Sequence, residues 1–588
     1  MANTPKEPAQ PVLTPGAKKK ELSMEMRLLI SFVLMGVVLF VSPYILKTGT
    51  PAPAPAPQKA EQEAAATKGE TSSPTPPPAA AAAAASATPP ADLASTVKAE
   101  KQDDNIVVET DLYRVVFSNR GAVVRSWILR KHTDNNRKPV DLVNSAGAQK
   151  VGYPFSVYAE SGVQLPAEPN QALYAVNRTA DGLGIEFTYS DGKLFSRKSW
   201  QFDPDRYRVQ FRSELRDQNR ALPHLVAWRG GFGDFTVPNA LGTQHVLYFE
   251  TAENELTVNE VKVGKEGPAA VTGRFNFAGL EDAYFMAVAL PPTGTSFKVQ
   301  TWADAVQLPP DNKEEPHIGV AFGGDGIVET PLYVGPKDVH TLKAIDPKLE
   351  QAVDFGWFWF LARPLFDSLN YLNDKFIHNY GWSIVVLTVL INILLLPLKI
   401  SSLRSMKKMS GLQPQINQIQ AKYKDMPMRD PRKQQQQQEM MELYQKHGIN
   451  PLGGCVPMML QMPFLFAFYK VLSIAVEMRG AEWLWVADLS QPEQMSLRIL
   501  PLATLATQFI MQKMTPTTTA DPQQQRIMMI MPLMFIPIFW NVASGLVLYW
   551  LTGNVVGIVQ QWFFNRTMGM APQPAKTVQP QPAKKKGK

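Results

Sequence analysis

Asn379-Tyr380-Gly381-Trp382-Ser383-Ile384-Val385-Val386-Leu387-Thr388-Val389-Leu390-Ile391-Asn392-Ile393-Leu394-Leu395-Leu396-Pro397-Leu398-Lys399 carries no charge before its final lysine. An apolar run of about 20 residues is long enough to cross the hydrocarbon core of a bilayer, so residues 382–400 read as a membrane span. Four more apolar segments follow, at about 452–472, 497–512, 527–543 and 545–563. Together the five make a helical block over 378–566, and this block sets the class of protein.

The connections orient the block. The 401–450 loop carries Arg404, Lys407, Lys408, Lys422, Lys424, Arg429, Arg432, Lys433 and Lys446. The 473–496 loop carries Glu477, Glu482, Asp488 and Glu493 against Arg479 alone. Lysine and arginine mark the cytoplasmic side of spans, which puts 401–450 and the basic tail at 567–588 inside. Within 401–450, Leu412, Ile416, Ile419 and Tyr423 follow helical spacing, as do Met440, Met441, Leu443 and Tyr444, with prolines between them. That pattern predicts a helical hairpin. Its Lys407 and Lys408, and Lys584, Lys585 and Lys586 of the tail, are candidate contacts for ribosomal RNA or lipid headgroups. They read equally well as solvated charges.

Two spans are short, with Arg498 and Arg526 at their ends and Pro501, Pro532 and Pro537 inside them. Short spans thin the bilayer. Thr388, Asn392, Gln461, Thr504, Thr507, Gln508 and Asn554 fall at membrane depth without paired charges. One such residue alone is ordinary helix glue; the set suggests a wetted concavity more than an ion pathway.

Upstream of the block the pattern changes. Lys18-Lys19-Lys20 and Arg27 precede an uncharged run over 28–46. It is longer than the apolar region of a cleaved signal peptide and reads as a signal anchor with residues 1–27 in the cytoplasm. Residues 47–104, rich in Pro and Ala, form a tether. From 105 to 350 the period is two: Tyr207, Val209, Phe211 and Leu215 alternate with Arg208, Gln210, Arg212 and Glu214. Ile185, Phe187 and Tyr189 alternate likewise into Ser190-Asp191-Gly192-Lys193, a hairpin signal. These features predict a large antiparallel β-sandwich outside the cytoplasm. The aromatic cluster Phe355, Trp357, Phe358, Trp359 and Phe360 opens 351–377, which is expected to lie as an amphipathic helix in the outer interface. An ordinary helix packed on the sandwich is the alternative.

The expected fold class is therefore an α-helical polytopic membrane protein with six spans, plus an extracytoplasmic all-β domain. Net charge is +7, but its basic residues flank spans and do not suggest DNA binding. The single cysteine, Cys455, excludes an internal disulfide or a CxxC site. No GxxxxGK[ST], HExxH or GxSxG motif occurs, so no catalytic residue, cofactor or metal is assigned.

Five motifs then carry a resemblance: Asn379-Tyr380-Gly381-Trp382-Ser383-Ile384, Asn450-Pro451-Leu452-Gly453-Gly454-Cys455, Gln461-Met462-Pro463, Gln512-Lys513-Met514-Thr515-Pro516 and Ser544-Gly545-Leu546-Val547-Leu548-Tyr549. The chain resembles the YidC membrane protein insertases of Gram-negative bacteria, over nearly its whole length. The resemblance implies a five-helix insertase core open to cytoplasm and lipid, in the bacterial inner membrane, with a periplasmic β-supersandwich and both termini in the cytoplasm. It implies nascent membrane proteins as substrates, lipids as surroundings, and the Sec translocon and ribosome as candidate partners. It also implies a substrate groove at Thr388, Asn392 and Gln461, and a hydrophobic slide at Leu465, Phe468, Tyr469, Met534 and Phe535.

One departure matters. The resemblance implies an arginine four residues after Thr388, and this chain has Asn392 there. Lys399 lies seven residues on, near the same helical face, and either replaces the charge from the groove mouth or marks the cytoplasmic boundary. Two rival readings remain. A small-solute transporter needs paired intramembrane charges or inverted broken helices, which the sequence lacks. A membrane-tethered sugar-binding or mutarotase-like protein needs a His/Glu pair, for which His224 and His245 are candidates.

Overall fold

A computed structural model describes residues 96–159, 168–218, 220–237, 240–259, 269–308, 313–324, 326–423, 432–448, 456–515, 533 and 536–568. The expected anchor, residues 47–95 of the tether, the Asn450–Cys455 motif and residues 569–588 of the basic tail lie outside these residues; the end of the expected tether is bonded to the strand region instead, the Val97 N–H donating to the Ser190 carbonyl at 2.9 Å and the Ala99 N–H to the Leu173 carbonyl at 3.0 Å. The chain divides into two compact units, one holding Leu398–Met459 and the other Ala87–Pro397, Leu460–Thr515 and Arg526–Lys588.

The period-two region of the larger unit builds antiparallel sheets of four, ten and five strands. Strand Leu194–Phe202 pairs with both Gly184–Ser190 and Arg208–Asp217 in the ten-stranded sheet. The turn at Asp191 forms as its residues require. The Asp191 carboxylate accepts from the backbone N–H of Lys193 at 2.8 Å and of Leu194 at 2.7 Å, and Gly192 takes a φ of 89° that favours glycine. Tyr207, Val209 and Phe211 point into the core as their spacing demands. Glu214 departs from that pattern: it is buried, with Arg197 at 2.8 Å, Arg212 at 3.6 Å and Arg216 also against it. A buried charge of this kind is tolerated because it is paired.

The sheets converge on an aromatic centre. Trp127 of the four-stranded sheet, Trp228 of the five-stranded sheet and Trp200 of the ten-stranded sheet all meet Phe155, with ring centroids 6.2, 6.2 and 5.4 Å away. Beside them Lys198 is fully buried. Its ammonium donates to the carbonyls of Phe155 at 2.7 Å, Gly121 at 2.8 Å and Ala122 at 3.2 Å. No carboxylate is among those bonds; they fasten the loop before strand Val123–Thr133 to the ten-stranded sheet.

Helix α1 (Val339–Ile345) leaves the sheets, capped by Asp338, whose carboxylate accepts from the Thr341 N–H. Helix α2 (Trp359–Leu372) buries Ala362, Leu365, Phe366 and Leu369 and exposes Trp359, Phe360 and Tyr371. A turn over Asn373–Ile377 and left-handed His378 then bend the chain by 118° into α3 (Tyr380–Leu394), whose N-cap is Asn379. The span expected over 382–400 is divided: α3 stops at Leu394, and α4 (Leu396–Gly411) starts beside Pro397, whose ring nitrogen has no hydrogen to donate. At 1.5 Å per residue α3 is only about 22 Å long. Among the described residues no single helix is long and apolar enough to cross a membrane; the bent pair Trp359–Ile377 and Tyr380–Leu394 reaches that length and composition together.

In the other unit, α5 (Gln413–Lys422) and α6 (Arg432–Lys446) follow α4. Met409, Leu412 and Ile416 pack on Met440, Leu443 and Tyr444, while Met441 is exposed. Glu439 closes the pair, accepting from Lys422 at 2.5 Å and from the Tyr423 hydroxyl at 2.8 Å. The larger unit continues with α7 (Val456–Ile474), α8 (Ile499–Met514), α9 (Ile536–Asn541) and α10 (Ser544–Met568).

Lys198 generates a first prediction. Removing its ammonium leaves three buried carbonyls without this donor, each costing about 1–3 kcal/mol, so Lys198→Ala lowers sandwich stability by several kcal/mol in urea unfolding. Burial holds the Lys198 ammonium down at about 7, against 10.5 for an unperturbed lysine. Between those values the unfolded chain keeps a proton that the folded one has released. The contribution of Lys198 to stability therefore rises with pH across that window, and the variant loses this slope.

Candidate functional site

Helix α3 is two-sided. Trp382, Val386, Leu390, Ile393 and Leu394 are exposed along one stripe, while Gly381, Ile384, Leu387, Thr388, Ile391 and Asn392 are buried along the other. The buried stripe therefore contains both polar residues singled out in the sequence. The Thr388 hydroxyl donates to the Ile384 carbonyl at 2.6 Å, and the Asn392 amide to the Thr388 carbonyl at 2.8 Å. Each bond goes back one turn along the same helix.

Helix α10 supplies the facing wall. Its Gln560 amide makes a long hydrogen bond of 3.5 Å to the Asn392 carbonyl, and its Gly553 lies opposite exposed Gln461 of α7. On another face, the Asn554 amide donates to the Thr504 carbonyl at 3.2 Å and lies 3.3 Å from the Thr507 hydroxyl of α8. The Asn565 amide donates to the Met514 carbonyl at 3.1 Å, and the Trp550 indole to Gln508 at 3.4 Å. The structure thus brings Asn392 and Gln461 to one helix, α10, and adds Gln560, while Thr388 bonds within its own helix. The signal for α10 is readable afterwards: Asn554, Gln561 and Asn565 recur at helical spacing.

The apolar candidates are placed differently. Leu465 and Tyr469 are half-buried. Phe468 is fully buried and stacked on Tyr549, centroids 4.3 Å apart. Met534 and Phe535 lie outside the described residues. The exposed apolar side chains are instead the outer stripe of α3, Leu502, Phe509 and Ile510 on α8, and Val555, Val559, Trp562 and Phe563 on α10.

Among the basic candidates, Lys407 and Lys408 are exposed on α4. Lys399 also belongs to α4, past the break at Leu395, so the seven-residue offset from Asn392 does not run along one continuous helix. Lys584, Lys585 and Lys586 lie outside the described residues.

The histidines of the sandwich are committed elsewhere. His224 is buried, with Nδ1 2.9 Å from the Leu222 carbonyl and Nε2 2.9 Å from the Ser213 hydroxyl. Burial pushes its titration down to about 4, so it stands neutral. His245 lies 3.6 Å from Glu281, but that buried carboxylate also pairs with Lys337 at 2.8 Å. Burial opposes ionisation of Glu281, and the Lys337 ammonium overcomes it and holds the carboxyl below its usual range. Among the described residues no group of His, Cys, Asp and Glu is arranged to hold a metal.

The α8–α10 bonds give a second prediction. Replacing Asn554 by leucine removes its interhelical contacts, worth about 0.6–1.7 kcal/mol inside a membrane bundle. The detergent-solubilised Asn554→Leu protein should unfold a few degrees below wild type in a thermal scan.

Residues 372–571 match the family described as 60Kd inner membrane protein, and residues 105–368 match the YidC periplasmic domain. The membrane protein insertase YidC of Pelobacter propionicus is 32% identical over 501 residues, covering 81% of this chain and 89% of that one. The insertase of the same name from Syntrophus aciditrophicus is 33% identical over 491 residues, covering 82% and 88%. A crystal structure titled as an active YidC insertase with its first transmembrane domain resolved aligns over 80% of this chain and 95% of that one, at 17% identity and a TM-score of 0.35. With sequence identity of this extent running through both the strand-rich and the helical regions, the chain belongs to the YidC family of membrane protein insertases.

Proposed function

We propose that this insertase receives nascent membrane proteins in a groove bounded by α3 and α10 and lined by Thr388, Asn392, Gln461 and Gln560. The observation that carries the reading is the polar stripe on the buried side of α3, opposite a side made of exposed apolar residues. A polar segment moved into hydrocarbon costs several kcal/mol for each unsatisfied group. Uncharged amides and hydroxyls at part depth shorten that dry path, since each can donate or accept as the passing backbone requires. The substrate's own span then transfers to lipid along apolar helix faces, driven by burial of its apolar surface and, for some substrates, by the membrane potential. We assign that slide to Leu465 and Tyr469 with the exposed residues of α8 and α10. Met534 and Phe535 are kept as candidates on the family resemblance. No nucleotide hydrolysis enters this scheme.

The topology that goes with it has six spans: the 28–46 anchor and the five-segment block, with both termini and the α5–α6 hairpin in the cytoplasm and the sandwich in the periplasm. The lysine and arginine bias of the 401–450 loop, against the acidic 473–496 loop, supports that orientation. On this topology Lys399, Lys407 and Lys408 face the cytoplasm, the last two beside anionic headgroups or a translating ribosome together with Lys584, Lys585 and Lys586. The Sec translocon is a second partner for substrates with large translocated domains. The groove works through neutral hydrogen bonding, and Lys399 marks the boundary.

Photo-crosslinkers placed at Asn392 and at Leu390 of α3 test the groove with stalled nascent membrane proteins. Adducts at Asn392 are expected; adducts confined to Leu390 would overturn the assignment. In reconstituted insertion, Asn392→Leu should slow a substrate with a polar translocated tail by roughly tenfold, the equivalent of about 1.4 kcal/mol. Lys399→Ala should insert an acidic-tailed substrate at the wild-type rate, and a comparable loss there would instead assign the attracting charge to Lys399.

A further inference from the structure

Where strand Val123–Thr133 begins, the sandwich encloses a cavity of about 380 Å³, within the range of small-molecule sites. One wall is the stretch from Ser118 to Arg125, which carries Arg120 and Arg125. The other runs from Gly152 to Tyr158, and Gln102 and Asn170 complete the lining. At the far end of the same 11-residue strand, the Thr133 carbonyl accepts from the Nε of Arg479, between α7 and α8, at 2.9 Å. The two ends of such a strand stand roughly 30 Å apart, so the cavity lies well away from the helical block.

Buried Lys198 holds both walls at once. Of the three carbonyls that its ammonium bonds, Gly121 and Ala122 belong to the first wall and Phe155 to the second. Ala122 has a φ of 47° and Phe155 one of 70°, in the left-handed region that a residue with a β-carbon seldom enters. Such conformations persist only where the surroundings impose them. Gly121 approaches Asn170 so closely that a β-carbon would lie 2.7 Å from its carbonyl oxygen. The cavity is thus set in shape before anything enters it, which lowers the ordering cost of binding.

Most polar side chains of the lining are spent on the walls themselves. The Tyr158 hydroxyl donates to the Val151 carbonyl at 2.7 Å, and the Ser156 hydroxyl to the Tyr153 carbonyl at 2.7 Å. The Asn170 amide donates to the Val157 carbonyl at 2.7 Å and accepts from the Val157 N–H at 2.8 Å. Ser118 and Gln102 both donate to Asp104, at 2.5 and 2.8 Å. The guanidinium groups are less committed. Arg120 gives one N–H to Gln171 at 3.2 Å, and Arg125 lies over the Tyr153 ring, 4.2 Å from its centre. Stacking occupies the face of a guanidinium and leaves its in-plane N–H fork, whose geometry matches a carboxylate. No acid belongs to the lining, and among the described residues no carboxylate pairs with either arginine. Asp104 lies within the field of both but is exposed and already bonded.

We propose that this cavity is a binding site for a small organic di- or tricarboxylate, held by the in-plane N–H groups of Arg120 and Arg125 with its carbon body against the Tyr153 ring. The donors left over are chiefly cationic, so the complementary ligand is an anion that only accepts. A neutral polyol needs acceptors as well as donors, and here those side chains are largely engaged. The inference concerns the sandwich alone and is independent of the groove between α3 and α10.

The test is titration calorimetry on the full chain in detergent, with citrate as the probe and ionic strength held constant. Citrate should bind saturably at millimolar concentration or below, and glucose should give no saturable heat. Arg125→Gln and Arg120→Gln should each weaken citrate by roughly tenfold, the effect of losing a charge-assisted hydrogen bond. Arg125→Lys, which keeps the charge and loses the fork, should fall between Arg125→Gln and wild type. Three results would overturn the proposal: no saturable citrate binding by the wild-type chain, unchanged affinity in both glutamine variants, or glucose or inorganic phosphate binding as tightly as citrate. Arg120 is exposed, so Arg120→Gln decides if Arg125→Gln fails to fold.

Discussion

A polar group taken out of water must be paired or it costs several kcal/mol, and the described parts of this protein are organised by how they meet that demand. In the sandwich, Lys198 meets it with three backbone carbonyls and Glu214 with three arginines. In the helical block, Thr388 and Asn392 meet it by bonding back along their own helix, and Asn554 by reaching across to another. The difference has consequences. Bonds across a sheet or between helices fix the elements to each other.

In the proposed groove, Asn392 stands where the family resemblance implies an arginine. A fixed arginine beside Thr388 would have to be desolvated with no acid to meet it, which inside a membrane is expensive. Asn392 avoids that cost, and it also gives up long-range attraction for acidic tails. In the proposed groove an amide there would act by hydrogen bonding at contact distance, a short-range property that does not depend on the sign of the substrate's charge.

Local pattern made much of this legible in the sequence. Alternation marked the strand through Tyr207, Val209 and Phe211, the Asp191-Gly192 turn marked its hairpin, and the spacing of Leu412, Ile416 and Met440 marked two helices that do pack together. What escaped was whatever depends on distant partners. Glu214 has the period of an exposed residue and is buried because three arginines from its own and the neighbouring strand converge on it. Phe468 has the composition of a lipid-facing residue and is buried because Tyr549, far along the chain, stacks on it. The break at Leu395 was signalled by Pro397, yet hydropathy alone runs straight through it.

The 473–496 loop shows the same division at its sharpest. Counted as charges, Glu477, Arg479, Glu482, Asp488 and Glu493 are an acidic excess, and a counting rule for orientation treats them as alike. Burial separates them. Glu482 makes a surface contact with Arg137, 3.8 Å away, with both side chains more than 70% exposed, and such a pair adds little. Arg479 is enclosed with Asp234, the two side chains being 4% and 2% exposed, so that their ion pair feels a low dielectric and is correspondingly stronger. The large periplasmic domain and the helical block are joined by these few buried charges as well as by the peptide chain.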